Sequence, residues 1–146
     1  MGKRLIKRPK LFLLDSGLLC HLLGIREPAQ LETHPLRGAA FETWVVSEVL
    51  KARRHRAEPA DLLFYRDAKG LEVDLLIQRG HEWAGVEARS AQTATPEFWE
   101  GLAKLDVLLR GRGSALCERT VVYGGEDQIQ RSDVRVLPWH AVDRID

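Results

Sequence analysis

The sequence has little of several features that would each point to a class of protein. Only two of its 146 residues are cysteine, Cys20 and Cys117, and they form no C-x-x-C pair. This argues against a disulfide framework and against a structural zinc site. No apolar run is long enough to span a membrane, and Asp15 interrupts the apolar part of residues 11–23, which argues against a signal peptide. We therefore expect a cytoplasmic protein without a membrane partner.

An excess of charge of one sign is also missing. Twenty-two lysines and arginines against 21 acidic residues give a formal net charge of +1, so bulk charge does not demand a polyanionic partner. Two local basic runs remain, at residues 3–10 and 51–56. Such runs are usually solvated faces, and contact with nucleic acid is the alternative.

What is present fits one α/β domain, with 45% hydrophobic and 29% charged residues. Residues 11–14 predict a short strand, and Asp15 or Ser16 then caps a helix that ends near Gly24. Periodicity and turn residues predict the further elements in this order: a connector over 26–35, a helix over 36–56, strands over 62–67, 71–78 and 81–89, a helix over 97–109, and strands over 115–123 and 134–137. Residues 1–35 thus form a strand and helix extension, and residues 36–146 an αβββαβ core with a mixed sheet flanked by helices.

An acidic residue lies on the wrong side of the long helix. At about 100° per residue, Phe41, Val45 and Val49 share one face, and Glu42 falls inside that apolar arc. A carboxylate there is costly unless it is paired, hydrogen-bonded or bound to a metal. A glutamate that bonds the amides at the helix start, or an ion pair with arginine, is the plainer interpretation.

Two further acidic residues lie on the second and third strands. Alternation places Glu72, Asp74, Leu76 and Gln78 on one face of the second strand, opposite Val73, Leu75 and Ile77. If Arg79 and Gly80 form a two-residue turn, Gln78 faces His81, Asp74 faces Gly85, and Glu72 faces Glu87. Asp74 and Glu87 are then diagonal neighbours, roughly 7–8 Å apart at the backbone. Gly85 would leave space between them, and Arg89 would point to the same side.

Carboxylates from a helix and two strands are therefore within reach of one another. Oxygen ligands of this kind suit magnesium or manganese, and in phosphodiester hydrolysis such a metal activates water. A solvated rim of charges on a twisted sheet is an equally good interpretation of the spacing alone.

Several sequence blocks carry a resemblance to a known family. They are KLFLLDSGLL (10–19), GAAFETWVVSEVLK (38–51), FYRD (64–67), EVDLLI (72–77), VEARS (86–90), VYGGE (122–126) and VLPW (136–139). Together they resemble the uncharacterised C-terminal domain of bacterial and archaeal AAA+-type ATPases, over almost the whole chain. That domain is similar to PD-(D/E)xK nucleases, which have a restriction-endonuclease-like fold.

The resemblance implies that Glu42, Asp74 and Glu87 hold Mg²⁺ or Mn²⁺ and that position 89 carries the motif cation. The chain has Arg89 where the family pattern has lysine; arginine keeps the charge but does not readily give up a proton. The chain has no G-x-x-x-x-G-K-[ST] loop and hence no ATP site of its own, so the ATPase domain is expected upstream or in trans.

Three hypotheses follow from these residues. In the first, the chain is a nuclease-like domain that binds DNA or RNA and hydrolyses phosphodiesters with a divalent metal. In the second, it is a degenerate nuclease fold that serves as a regulatory, DNA-binding or protein-interaction module. In the third, it is an interaction or oligomerisation domain whose acidic residues are only surface charge, with a second copy of the chain as a candidate partner.

Overall fold

The computed structural model describes residues 10–131 and 133–145. A six-stranded mixed sheet forms its centre, with helices on both sides. The helices are α1 (Ser16–Leu22), α2 (Pro28–Thr33), α3 (Arg37–His55) and α4 (Glu100–Arg110), with 3₁₀ segments at Pro96–Phe98 and Trp139–Arg144. The strands are β1 (Leu62–Arg66), β2 (Glu72–Arg79), β3 (Glu82–Arg89), β4 (Leu116–Tyr123), β5 (Ile129–Arg131) and β6 (Val134–Pro138).

The order of the strands across the sheet is β1-β2-β3-β4-β6-β5. Strands β1, β2 and β3 pair antiparallel, whereas β4 is parallel to β3 and to β6, and β5 returns antiparallel along β6. A mixed α/β fold with helices flanking the sheet is therefore confirmed. No helix in the described part of the chain has both the length and the apolar character needed to cross a membrane.

Each face of the sheet carries its own core. Val45 and Val49 of α3 pack on one face, and Leu102 and Leu105 of α4 pack on the other. The neighbours Val121 and Val122 of β4 belong to different cores, as alternation along a strand requires.

The predicted strand over residues 11–14 is wrong. This stretch has neither helix nor strand, and Leu11 is 88% exposed. A strand needs a neighbouring strand to satisfy its backbone hydrogen-bonding groups, and residues 11–14 pair with none of the six strands of the sheet. The helix after it is confirmed: Asp15 accepts a hydrogen bond from the Leu18 amide at 2.8 Å, and Gly24 has a positive φ of 73°.

Two short elements were not predicted. The connector over 26–35 contains the helix α2, and the edge strand β5 follows the glycine pair 124–125. Both elements are short, six and three residues, so periodicity has too few positions to reveal them.

The predicted pairing of β2 with β3 is wrong by two residues. Gln78 pairs with Trp83 and Arg79 with Glu82, so that Gly80 and His81 form the turn. Gly80 has a φ of 61° and takes the first turn position, where a type II′ hairpin requires a positive φ. Because the shift is an even number of residues, the side chains of β3 keep their predicted faces.

The shift changes the role of Gly85. This residue pairs with Leu76 and not with Asp74. A Cβ atom at Gly85 would lie 2.7 Å from Leu102 Cδ2, so the glycine makes room for α4 and not for the carboxylates.

A β-bulge interrupts β2 where it pairs with β1. Leu63 pairs with Leu76, whereas Tyr65 pairs with Val73, so β2 has one more residue than β1 in this interval. Val73 therefore joins the α4 core, while Leu75 and Ile77 join the α3 core. The prediction that these three residues share a face is wrong, because an extra residue reverses the alternation. Asp74 lies within this bulge.

Candidate functional site

Glu42 lies in the first part of α3, with its side chain 18% exposed. Its carboxylate oxygen Oε1 is 2.6 Å from the ammonium nitrogen Nζ of Lys10. Burial raises the pKa of Glu42, and the Lys10 ammonium offsets only part of that effect. The helix thus holds a carboxylate at the margin of its apolar face, with a cation from the N-terminal segment as its partner.

Asp74 is held by the backbone of the neighbouring strand. The paired residues of β2 and β3 stop at Leu75 and Val86, and Asp74 Oδ2 accepts a 3.0 Å hydrogen bond from the Ala88 amide beyond them. The same oxygen accepts a 3.1 Å hydrogen bond from Arg89 Nη1. The bulge therefore turns this carboxylate toward the end of β3, where bulges often re-aim a side chain.

Glu87 is the most buried of these carboxylates, with a relative exposure of 1%. Its Oε2 accepts a 2.6 Å hydrogen bond from Arg89 Nη2, while its Oε1 is buried without a hydrogen-bond partner. Burial, and then the negative charge of Asp74, raise the pKa of Glu87 to about 9. Glu87 therefore holds a proton at neutral pH.

Space for the Glu87 carboxyl comes from α4. A Cβ atom added at Gly101, the second residue of that helix, would lie 2.6 Å from Glu87 Oε1 and 3.1 Å from the Glu72 carbonyl oxygen. A glycine at this position lets the first turn of α4 approach the carboxyl closely.

Two cations connect the four carboxyl groups. Arg89 joins Asp74 to Glu87, and Lys10 contacts Glu42 and Glu72 and lies 3.7 Å from Asp74 Oδ1. We call this set the acidic centre; it comprises Glu42, Glu72, Asp74, Glu87, Lys10 and Arg89. Glu42, Asp74 and Glu87 thus belong to one network of charged side chains, in which Lys10 and Arg89 mediate the contacts.

Lys10 and Glu72 were missed as members of the site. Glu72 was expected to face Glu87, but it pairs with Arg66, and its Oε2 lies 3.3 Å from Arg66 Nε. In the sequence, Lys10 is only one member of a basic run. Its 32-residue separation from Glu42 leaves no local signal, because only the folded chain brings them together.

The charges of the acidic centre nearly cancel. With Glu87 protonated, the three remaining carboxylates of the acidic centre face its two cations, Lys10 and Arg89, and Arg66 contacts Glu72 from outside the centre. Burial would lower the pKa of Lys10, but the hydrogen bonds to Glu42 and Glu72 outweigh it, so the pKa is raised and the ammonium is charged.

The oxygen atoms of the acidic centre suit a hard divalent cation. The unpartnered Oε1 of Glu87 and the carboxylates of Glu42 and Asp74 provide the donors that magnesium or manganese prefers. Within the described residues, however, no group of three or more His, Cys, Asp or Glu side chains is arranged to hold a metal ion. Lys10 and Arg89 lie between the carboxylates, so a metal would have to displace an ammonium or a guanidinium contact.

The basic run over residues 51–56 is mostly engaged within the domain. Lys51 pairs with Glu48, and Arg53 is buried, with Nε donating to the Pro59 carbonyl at 2.9 Å and Nη1 lying 3.2 Å from Glu58. The other run, apart from Lys10, lies outside the described residues.

The sequence matches a known protein family over most of its length. Residues 37–142 match the sequence pattern of a family described as "Domain of unknown function (DUF4143)". The chain belongs to this family.

Uncharacterised proteins of Mycobacterium bovis and Mycobacterium tuberculosis are each 30% identical to the DUF4143 chain over 136 residues, or 93% of its length. The chain spans only 28% of the length of these relatives. No solved structure matches it significantly.

Proposed function

We propose that this DUF4143 domain is a nuclease-like domain of an AAA+-type ATPase family protein, which binds nucleic acid and hydrolyses phosphodiesters with Mg²⁺ or Mn²⁺. The observation that carries the proposal is the central position of Asp74, which Lys10 links to Glu42 and Arg89 links to Glu87. The order α3-β1-β2-β3-α4-β4 also supports a restriction-endonuclease-like core.

Each residue has a distinct role in this proposal. Asp74 and Glu42 present carboxylate oxygens to the metal, and Glu87 contributes its free Oε1 once it loses its proton. The metal, when bound, would activate a water molecule and neutralise charge on the phosphate. Arg89 holds the carboxyl groups of Asp74 and Glu87 in position by hydrogen bonds and stabilises negative charge on the phosphate oxygens.

Cleavage assays with plasmid DNA, single-stranded DNA and RNA test the proposal. We expect cleavage that requires Mg²⁺ or Mn²⁺. The variants Asp74→Asn and Glu42→Gln should each reduce the cleavage rate by about 10- to 100-fold or more. Glu48→Gln is the matched control, because Glu48 lies on the same helix as Glu42 but pairs with Lys51 outside the acidic centre. Equal cleavage by the Asp74→Asn variant would overturn the mechanism.

A second candidate function is favoured by the near-cancellation of charge in the acidic centre. In this alternative, the domain is a degenerate nuclease fold that acts as a protein-interaction module beside an ATPase. Four leucines of the N-terminal segment and α1 support it, because they expose apolar surface: Leu11, Leu14, Leu18 and Leu22.

Metal titration separates the two candidates. A metal that binds the folded state raises the melting temperature, whereas a degenerate centre gives no shift between zero and 10 mM Mg²⁺, on the order of the concentration that fills a weak site. Light scattering on the same sample would show whether a second copy of the chain is the partner of the exposed leucines.

A further inference from the structure

We propose that Lys10 and the N-terminal segment 10–15 form a strap that closes the acidic centre, so that a divalent cation enters only when Lys10 leaves. This inference rests on the proposed metal-dependent function. It assigns to Lys10 the role of a competing cation, which is neither a ligand of the metal nor a catalytic residue.

The position of the Lys10 ammonium is the first observation. It contacts the carboxylates of Glu42 on α3 and Glu72 on β2, and it lies 3.7 Å from Asp74 Oδ1, also on β2. A divalent cation held by Glu42 and Asp74 would compete with this ammonium for the same carboxylate oxygens. Because two cations repel at this distance, the ammonium and the metal exclude each other.

The weak attachment of the strap is the second observation. Residues 10–15 have no helix or strand, Leu11 is 88% exposed, and α1 contributes no buried residue. A cavity of roughly 180 Å³ lies between the strap and the domain, and Phe12, Leu14, Val46 and Asp74 are among its lining residues. Of the apolar residues of the strap only Phe12 and Leu13 are half-buried, so limited apolar burial opposes its departure from the cavity that reaches Asp74.

Phe64 provides a second hold on Lys10. The ammonium lies 5.5 Å from the centre of the Phe64 ring, within the range of a cation–π contact. Phe64 is not a carboxylate and belongs to the edge strand β1, so its contact with Lys10 can be removed without changing any proposed metal ligand.

A comparison of Mn²⁺ binding by the wild-type protein and by its Lys10→Met variant tests the strap. If Lys10 keeps most molecules closed, the apparent Mn²⁺ affinity equals the intrinsic affinity multiplied by the small fraction of open molecules. Lys10→Met should therefore tighten Mn²⁺ binding by about 10-fold or more. Calorimetry and the electron paramagnetic resonance signal of free Mn²⁺ measure this directly, without an activity assay. Phe64→Ala should give a smaller increase in the same direction.

Lys51→Met is the matched control, since Lys51 pairs with Glu48 outside the acidic centre and should leave Mn²⁺ affinity unchanged. Circular dichroism and melting without metal show that each variant is folded; if Lys10→Met is not, Phe64→Ala carries the test. In the Lys10→Met background, Asp74→Asn should abolish the added binding.

Two contrary outcomes are distinguishable. Mn²⁺ binding that is equally tight in the wild type, Lys10→Met and Phe64→Ala would overturn the strap and leave the proposed function standing. The absence of Mn²⁺ binding in all folded variants would overturn the strap and the proposed metal site together.

Discussion

Glu87 concentrates the electrostatic cost of the acidic centre in one residue. Its side chain is buried to 1% exposure beside Asp74, and only one of its two oxygens has a hydrogen-bond partner. Its pKa of about 9, against an ordinary value of 4.5, means that the folded state holds a proton that the unfolded chain releases over this interval. The contribution of this residue to stability is therefore full below about pH 4.5 and is lost as the pH rises toward 9.

The variant Glu87→Gln should flatten this pH dependence. Glutamine keeps the shape of the protonated carboxyl without titrating, so the stability of the wild type relative to the variant should fall between pH 5 and pH 8.5, by at most about 1.4 kcal/mol per pH unit. Urea unfolding at several pH values without metal measures the difference. Parallel profiles would contradict the raised pKa, and Glu100→Gln, an exposed residue of α4, controls for the loss of a surface carboxylate.

At the scale of elements, the site depends on the bulge in β2 and on the close approach of α4. The bulge breaks the alternation of β2 at Asp74, and Gly101 lets the first turn of α4 lie against Glu87. The sequence predicted both strands and the helix within a few residues, because turn residues and apolar periodicity are local signals. It did not predict the bulge, because an extra residue in one strand is defined only against its partner β1.

The variant Gly101→Ala should destabilise the domain by about 1–3 kcal/mol, because the new methyl group meets Glu87 Oε1 and the Glu72 carbonyl, a backbone atom. Gly38→Ala is the matched control in α3, where an added Cβ meets nothing within 4 Å. Losing the flexibility of glycine in the unfolded chain should make that variant more stable by about 0.4–1 kcal/mol. Denaturant unfolding compares them, and equal effects would contradict the proposed crowding.

At the scale of the whole molecule, the two cores fix the sheet between α3 and α4 and so hold the carboxylates of both faces near the first residues of β2 and the last residues of β3. Leu102 of α4 is fully buried and lies against Gly85 of β3, two residues before Glu87. Packing between α4 and β3 thus helps to fix the position of Glu87, although Leu102 does not itself belong to the acidic centre.

The variant Leu102→Ala should cost about 2–5 kcal/mol of unfolding free energy, since it leaves a cavity in a well-packed core. Val107→Ala on the same helix should change stability by no more than about 0.5 kcal/mol, because Val107 is 71% exposed. Thermal and denaturant unfolding check both variants. A small effect at Leu102 would mean that α4 is not held by this core.

The sequence by itself determined the α/β class, the long helix and the three strands after it, because periodicity and turn residues act over a few positions. The roles of Glu42, Asp74, Glu87 and Arg89 rest on a family resemblance and stay a prediction. The tertiary structure decided the register of β2 with β3, the bulge at Asp74 and the arrival of Lys10 among the carboxylates. These features depend on contacts between residues far apart in the chain, and only the packed sheet and helices set those distances.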